Sequence, residues 1–176
     1  MKSVPIASFT LILILALGGC GYHLGEIKPT PMRGVNTLAV RTFKNETLIP
    51  RLEAQTADAV VKQFQSDGTY RIESADRADA LVDGVILSVD RQPMRVFSSS
   101  VLQTSEFNLV VKVSYRVIDR VTGAVLQQGQ VTGETPFFVA ADTSVNSDMV
   151  TTQNMNYPIA AKRMAENLVS RVAEGW

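Results

Sequence analysis

From Phe107 to Val117 the chain is apolar at every second position. Phe107, Leu109, Val111, Val113, Tyr115 and Val117 alternate with a side that holds Asn108, Lys112, Ser114 and Arg116. A strict period of two predicts a β-strand over residues 105–119 with one apolar face. Val110 and Ile118 add apolar positions to the other face. At about 3.3 Å per residue, an unbroken strand of this length reaches roughly 45 Å, long for a globular domain. Residues 80–92 alternate as well, with Leu81, Val85, Leu87 and Val89 near one register and Val82 and Ile86 on the other. Apolar side chains on both faces predict a central strand. Shorter strands are predicted at residues 37–43 and at Tyr70-Arg71-Ile72-Glu73. Another follows the Thr122-Gly123 turn at residues 124–134, and Pro136-Phe137-Phe138 ends it.

Two stretches change to helical spacing. Pro50 opens the first helix, since proline is favoured at a helix start. Its apolar face is Leu52, Ala59, Val60, Val61 and Phe64, and Asp67-Gly68 stops it. Pro158 opens the closing helix. Ile159, Ala161, Met164, Ala165, Leu168, Val169 and Val172 form its apolar face, and Arg163, Glu166 and Arg171 its wet side. Lys44-Asn45-Glu46-Thr47 reads as a turn. Residues 93–101 read as a loop or projecting hairpin tip, with Met94, Val96 and Phe97 exposed. Residues 140–156 are a polar connector without Lys or Arg. The order β-α-β-β-β-β-α predicts an α+β fold. Its form is a two-layer sandwich, a predominantly antiparallel sheet with two helices on one face.

The N-terminal segment has a different pattern. Lys2 precedes a continuous apolar run from Phe9 to Leu17, which ends in Gly18-Gly19-Cys20. A positive start, a short apolar run and small residues before the cut describe a secretory signal; a membrane span needs roughly 20 apolar residues. Cys20 is the only cysteine, so it has no internal disulfide partner. Its place after Leu17-Gly18-Gly19 resembles a bacterial lipobox, in which the cysteine becomes the new N-terminus and carries lipid. The other reading is an ordinary signal peptide followed by a stray cysteine. The expected organisation is a cleaved signal at 1–19, a lipidated N-terminus and extended tether at 20–36, and a single domain at 37–176. One acyl chain anchors only marginally, so stable anchoring takes several. Bacterial lipoproteins carry three. By resemblance to sorting signals, Gly21 in place of Asp directs the protein to the outer membrane.

Charge adds little. Lys+Arg and Asp+Glu are both 17, so no basic excess points to nucleic acid. Enzymatic constellations are also missing. His23, the single histidine, lies on the tether, Cys20 is taken by lipid, and no Gly-rich phosphate loop is present. Asp76/Asp79 and Asp83/Asp90 read as solvated or turn-forming carboxylates. No catalytic residue, metal site or cofactor is expected beyond the covalent lipid on Cys20.

Several stretches in order resemble the LptE family of lipopolysaccharide-assembly lipoproteins. These are Cys20-Gly21-Tyr22-His23-Leu24, the segment from Thr37 to Thr47, the segment from Ala78 to Gly84, and the segment from Arg116 to Gly123. The resemblance covers nearly all of the chain after the signal. It implies a non-enzymatic outer-membrane lipoprotein, lipid-anchored with its domain on the periplasmic side. There it plugs the barrel of LptD and helps deliver lipopolysaccharide. Basic side chains bind phosphates, arginine bidentately. Arg91, Arg95, Lys112 and Arg116 lie on the two long strands and their connection. Read from the residues, they are either a solvated sheet face or a set of lipopolysaccharide contacts. An alternative function is a periplasmic scaffold lipoprotein that binds another envelope protein by its sheet edge.

Overall fold

The computed structural model describes residues 28–95, 104–140 and 146–175. Its strands are β1 (Thr37–Val40), β2 (Lys44–Asn45), β3 (Arg71–Ile72), β4 (Ala80–Arg95), β5 (Thr104–Asp119) and β6 (Val125–Ala140). Helix α1 spans Leu52–Asp67 and α2 spans Asn146–Glu174. They build one sheet in the order β3-β1-β4-β5-β6, with β2 also on β4. The long pairings β4–β5 and β5–β6 are antiparallel, as expected. The short pairings of β1 with β3 and β4, and of β2 with β4, are parallel, so the sheet is mixed.

Both helices contribute to one core with a single face of this sheet. Leu109, Val111, Val113, Tyr115 and Val117 are buried in it, which is the face their period of two predicts. From β4 the core takes Ala80, Val82 and Ile86. A register shift between Ile86 and Ser88 then changes the parity. Val89 therefore packs against the same core, opposite Val111, although it lies three residues beyond Ile86. Among the described residues the opposite face, carrying Lys112 and Arg116, has no helix over it; this is the open face.

Several boundaries differ from the pattern reading. Lys44–Asn45 is a short strand, not only a turn. Helix α1 begins at Leu52, two residues after Pro50, because Arg51 takes a left-handed conformation with φ 66°. It ends where Gly68, at φ 80°, donates its N–H to the Phe64 carbonyl at 3.0 Å. Strand β6 runs through Pro136 to Ala140. It is an edge strand, where a missing N–H is tolerated. Helix α2 also begins earlier than Pro158, which sits inside it. Asn156 Nδ2 donates to the Thr152 carbonyl at 2.7 Å and Gln153 Nε2 to the Tyr157 hydroxyl at 2.9 Å, so polar side chains brace this turn in place of an apolar stripe. Ile159, expected in the core, is 46% exposed. Thr30–Met32 forms a 3-10 turn, and Met32 and Val35 are buried in the core, so this end of the stretch read as a tether packs on the body.

Gly133 explains how α2 sits so close to the sheet. A Cβ there would overlap the Ala160 carbonyl and the Met164 amide, and would lie 2.6 Å from Met164 Cβ. Glycine lets the helix backbone rest directly on β6.

Candidate functional site

The long strands separate the predicted cations onto two faces. Arg91 pairs with Leu109, so it belongs to the helix side. Lys112 and Arg116 are on the open face. Arg95 pairs its backbone with Glu106, and its side chain lies outside the described residues, as do Cys20, the signal segment and residues 96–103. The structure therefore does not assemble the four cations into one cluster.

Arg91 belongs to an aromatic group near the far end of the strands, here called the arm. Phe107 and Phe137 face each other across β5 and β6, stacked with centroids 5.5 Å apart and planes at 26°. The Arg91 guanidinium lies 5.4 Å from the Phe107 ring centre. Its Nη1 is 3.5 Å from Gln153 Oε1, and Gln153 in turn donates to Tyr157. Arginine over an aromatic face is attracted by the ring quadrupole. This chain of contacts joins β4, β5, β6 and the first half of α2. Met94 and Phe138, each 59% exposed, add apolar surface at the same end.

Lys112 opens onto a cavity of about 420 Å³ that it shares with Gln130, Thr132, Asn167, Ser170 and Arg171 at the β6 edge. Asn167 Nδ2 donates to the Thr132 carbonyl at 2.7 Å and ties α2 to that edge. Arg116 has a different neighbourhood. Its Nη2 is 3.9 Å from Asp83 Oδ2, and Arg41 grips the same carboxylate with Nε and Nη2. The hydrogen bonds to Asp83 raise the Arg41 pKa above its already high value, so Arg41 is a permanent cation. Arg41 and Lys44 were missed by the sequence reading. Only the parallel pairing of β1 and β2 with β4 brings them to Arg116, and parallel partners leave no local sequence signal.

The carboxylates read as solvated or turn-forming serve as structural ties. Asp79 Oδ2 accepts the N–H of Asn36 at 3.0 Å and of Thr37 at 2.9 Å, which together with the Thr37 hydroxyl lower its pKa. Asp76 is lowered by the Ser74 hydroxyl, and Asp90 accepts from Ser88 at 2.7 Å. Among the described residues, no three His, Cys, Asp or Glu side chains come together as metal ligands, and no helix is long and apolar enough to cross a membrane.

Comparison with known families settles the kinship. The model of the lipopolysaccharide-assembly family LptE matches residues 35–174. The chain belongs to the LptE family. The match takes in every strand and both helices of the described residues, so this LptE-family chain is assigned to lipopolysaccharide assembly, a process of the cell envelope. No curated protein matches it significantly. Among solved structures, an uncharacterized lipoprotein B from Nitrosomonas europaea is 15% identical with a TM-score of 0.51, covering 88% of this chain and 92% of that one. A protein from Xanthomonas campestris has a TM-score of 0.55 at 10% identity, covering 80% of this chain and 85% of its own. A hypothetical protein from Chlamydia trachomatis has 0.50 at 11%, covering 79% and 96%. At these identities the likeness concerns the fold alone.

Proposed function

We propose that this LptE-family protein is anchored in the outer membrane by lipid on Cys20, plugs and supports an LptD-like β-barrel, and contacts lipopolysaccharide during its delivery, with no chemistry of its own. The family match over residues 35–174 carries this reading. The shape agrees with it. Strands β4, β5 and β6 are each 16 residues long. At about 3.3 Å per residue such a strand extends roughly 50 Å, more than the roughly 30 Å hydrocarbon thickness a barrel crosses. Large barrels enclose plugged lumens with polar walls, and the open face offers them Asn108, Lys112, Ser114 and Arg116.

Lipopolysaccharide presents phosphates and acyl chains. Arg91 and Arg95 stand at the arm end for the phosphates, with the exposed Met94 and Phe138 for the chains. Lys112 and Arg116, on the open face, are the other two contacts of this reading.

The test is affinity purification of the tagged protein from detergent-solubilised outer membranes, followed by mass spectrometry. A large barrel is expected in stoichiometric amount. Recovery of the protein alone, or with soluble periplasmic partners, would sink the plug role. Labelling with radioactive palmitate is expected to mark the native chain and not Cys20→Ala. In lipopolysaccharide binding, Arg91→Gln and Arg95→Gln are expected to weaken the complex, and two unchanged affinities would remove the arm contact.

A further inference from the structure

On the open face near the start of β4, a cavity of about 400 Å³ is lined by Arg41, Thr42, Lys44, Asp83, Val85 and Arg116, among others. Its charges are three cations and one anion, with Lys44 also 2.8 Å from Glu46. Arg41 gives two hydrogen bonds to Asp83, and Arg116 stands 3.9 Å from the same carboxylate. The arginine side chains are 49% and 57% exposed and Asp83 only 21%, so the cations face solvent more than their counter-ion does. A guanidinium has five N–H donors, so both arginines have capacity left after Asp83 is served. The backbone beneath is fixed. Phe43 is 2% exposed and its ring occupies the space where a Gly84 side chain would stand, its Cζ 2.6 Å from the position of a Cβ. Arg41 and Lys44, either side of this anchor, are thus held at the rim.

We propose that this cavity binds a phosphoryl group, gripped by Arg41 and Arg116 with Lys44 adding charge, while Asp83 holds the two guanidiniums in place and limits the affinity. A dianionic phosphate has enough oxygens for two arginine forks and an ammonium at once. A carboxylate brings two oxygens and one charge, which Asp83 already supplies. The phosphate belongs to a lipid headgroup or to a free ion. The site is at the opposite end of the strands from Arg91 and Arg95, and it does not depend on the barrel reading.

The test is titration of the full chain in a zwitterionic detergent with inorganic phosphate, read by NMR at the Arg41 Nε–H and the Gly84 amide. Saturable shifts are expected. Arg41→Gln and Arg116→Gln are each expected to weaken binding roughly tenfold, as loss of one charge-assisted hydrogen bond does. Asp83→Asn is expected to tighten it, a gain that a merely structural carboxylate would not give. Exposed ion pairs contribute little to folding, so these variants should fold. If Asp83→Asn does not, Arg41→Lys, which keeps the charge and loses the fork, carries the test by weakening the complex. Absence of saturation, or a shift that every folded variant leaves unchanged, overturns the site. Short-chain phosphatidic acid displacing phosphate, where short-chain phosphatidylcholine does not, assigns a lipid headgroup. Phosphate binding without that displacement assigns a free ion. Both results support the cavity.

Discussion

The base and the arm of this molecule use the same three strands and are held in different ways. At the base, β4 is flanked by β1 and β2 on one side and β5 on the other, and both helices close over it. Met32, Leu38, Leu52, Phe64 and Leu168 have no exposed surface there. Segments far apart in sequence are tied by single polar atoms. Asp79 holds the start of β1, and Arg120 Nε donates to the Ala78 carbonyl at 2.7 Å. Beyond Ile86, β4 pairs only with β5 among the described residues, and a second register shift follows between Pro93 and Arg95. The arm depends on its hydrogen-bond ladder, the Phe107–Phe137 stack and the first half of α2. Its buried residues, among them Leu109, Phe137, Val139 and Tyr157, are fewer than those of the base, and among the described residues one edge of β4 is unpaired there; segments of this kind have lower local stability, and moving parts are drawn from them. A stiff base with a more yielding arm fits the role proposed above, anchored at one end and adapting at the other.

The direct way to break this comparison is to cut a core side chain from each region. Leu168→Ala at the base is expected to cost about 3–4 kcal/mol, the loss for a fully enclosed leucine and the cavity it leaves. Phe107, only partly buried, is expected to cost about 1–2 kcal/mol as Phe107→Ala. Urea unfolding measures both. Equal losses would mean that the arm is as firmly built as the base.

At the junction of the regions, Gly133→Ala forces a methyl group against the α2 backbone. Overpacking against atoms that cannot rotate away is expected to cost about 2 kcal/mol. A thermal midpoint within a degree of the parent would show that α2 is not seated as described.

What could be read from the sequence followed the range of its signals. Strand β5 was legible because a period of two over many residues leaves no alternative register: Leu109, Val111, Val113, Tyr115 and Val117 are buried as their alternation requires. The closing half of α2 was legible from Met164, Ala165, Leu168 and Val172. Its opening half was hidden, because residues 146–156 are rich in Thr and Asn and Pro158 resembles a start signal. Pro136 hid the end of β6 in the same way, as an edge strand tolerates what a central one does not. The candidate site was legible only in part. Arg91 and Arg116 could be picked out as cations on long strands, but their separation onto opposite faces follows from the shift at Ile86 and Ser88, which no residue pattern announces. The Arg41–Asp83–Arg116 group depends on parallel pairing between distant segments.

Asp79 sharpens the account of the base. Its pKa is lowered chiefly by the Asn36 N–H and the Thr37 hydroxyl. A carboxylate with a depressed folded pKa stabilises the fold above its unfolded value, about 3.9, and that contribution fades as pH falls through the folded value. Asp79 is exposed and solvent screens part of this, so Asp79→Asn is expected to lose about 0.5–1 kcal/mol at neutral pH. The gap from the parent should narrow as pH falls below the ordinary carboxylate value and close once Asp79 itself is protonated. A gap independent of pH would assign the loss to packing instead of charge.

The smallest expected effect concerns the arm. Arg91 stands over Phe107 and reaches Gln153, so it links the strands to the first half of α2. Pro158 has no N–H to give, so the helix lacks one backbone bond at this point and its two halves are less tightly coupled. Loss of the guanidinium should then loosen the first half alone. In Arg91→Gln, amides of Gln153 to Tyr157 are expected to exchange about 2–5-fold faster, the equivalent of a cation–π contact of about 0.5–1 kcal/mol. Amides from Ala161 to Val172, whose apolar side chains are in the base core, should keep the parent rate. Faster exchange in both halves would mean that α2 opens as one unit and that the division into base and arm does not extend to the helix. Unchanged exchange in both would show that the first half is held by its own side-chain bonds, Asn156 to Thr152 and Gln153 to Tyr157, and not by the arm.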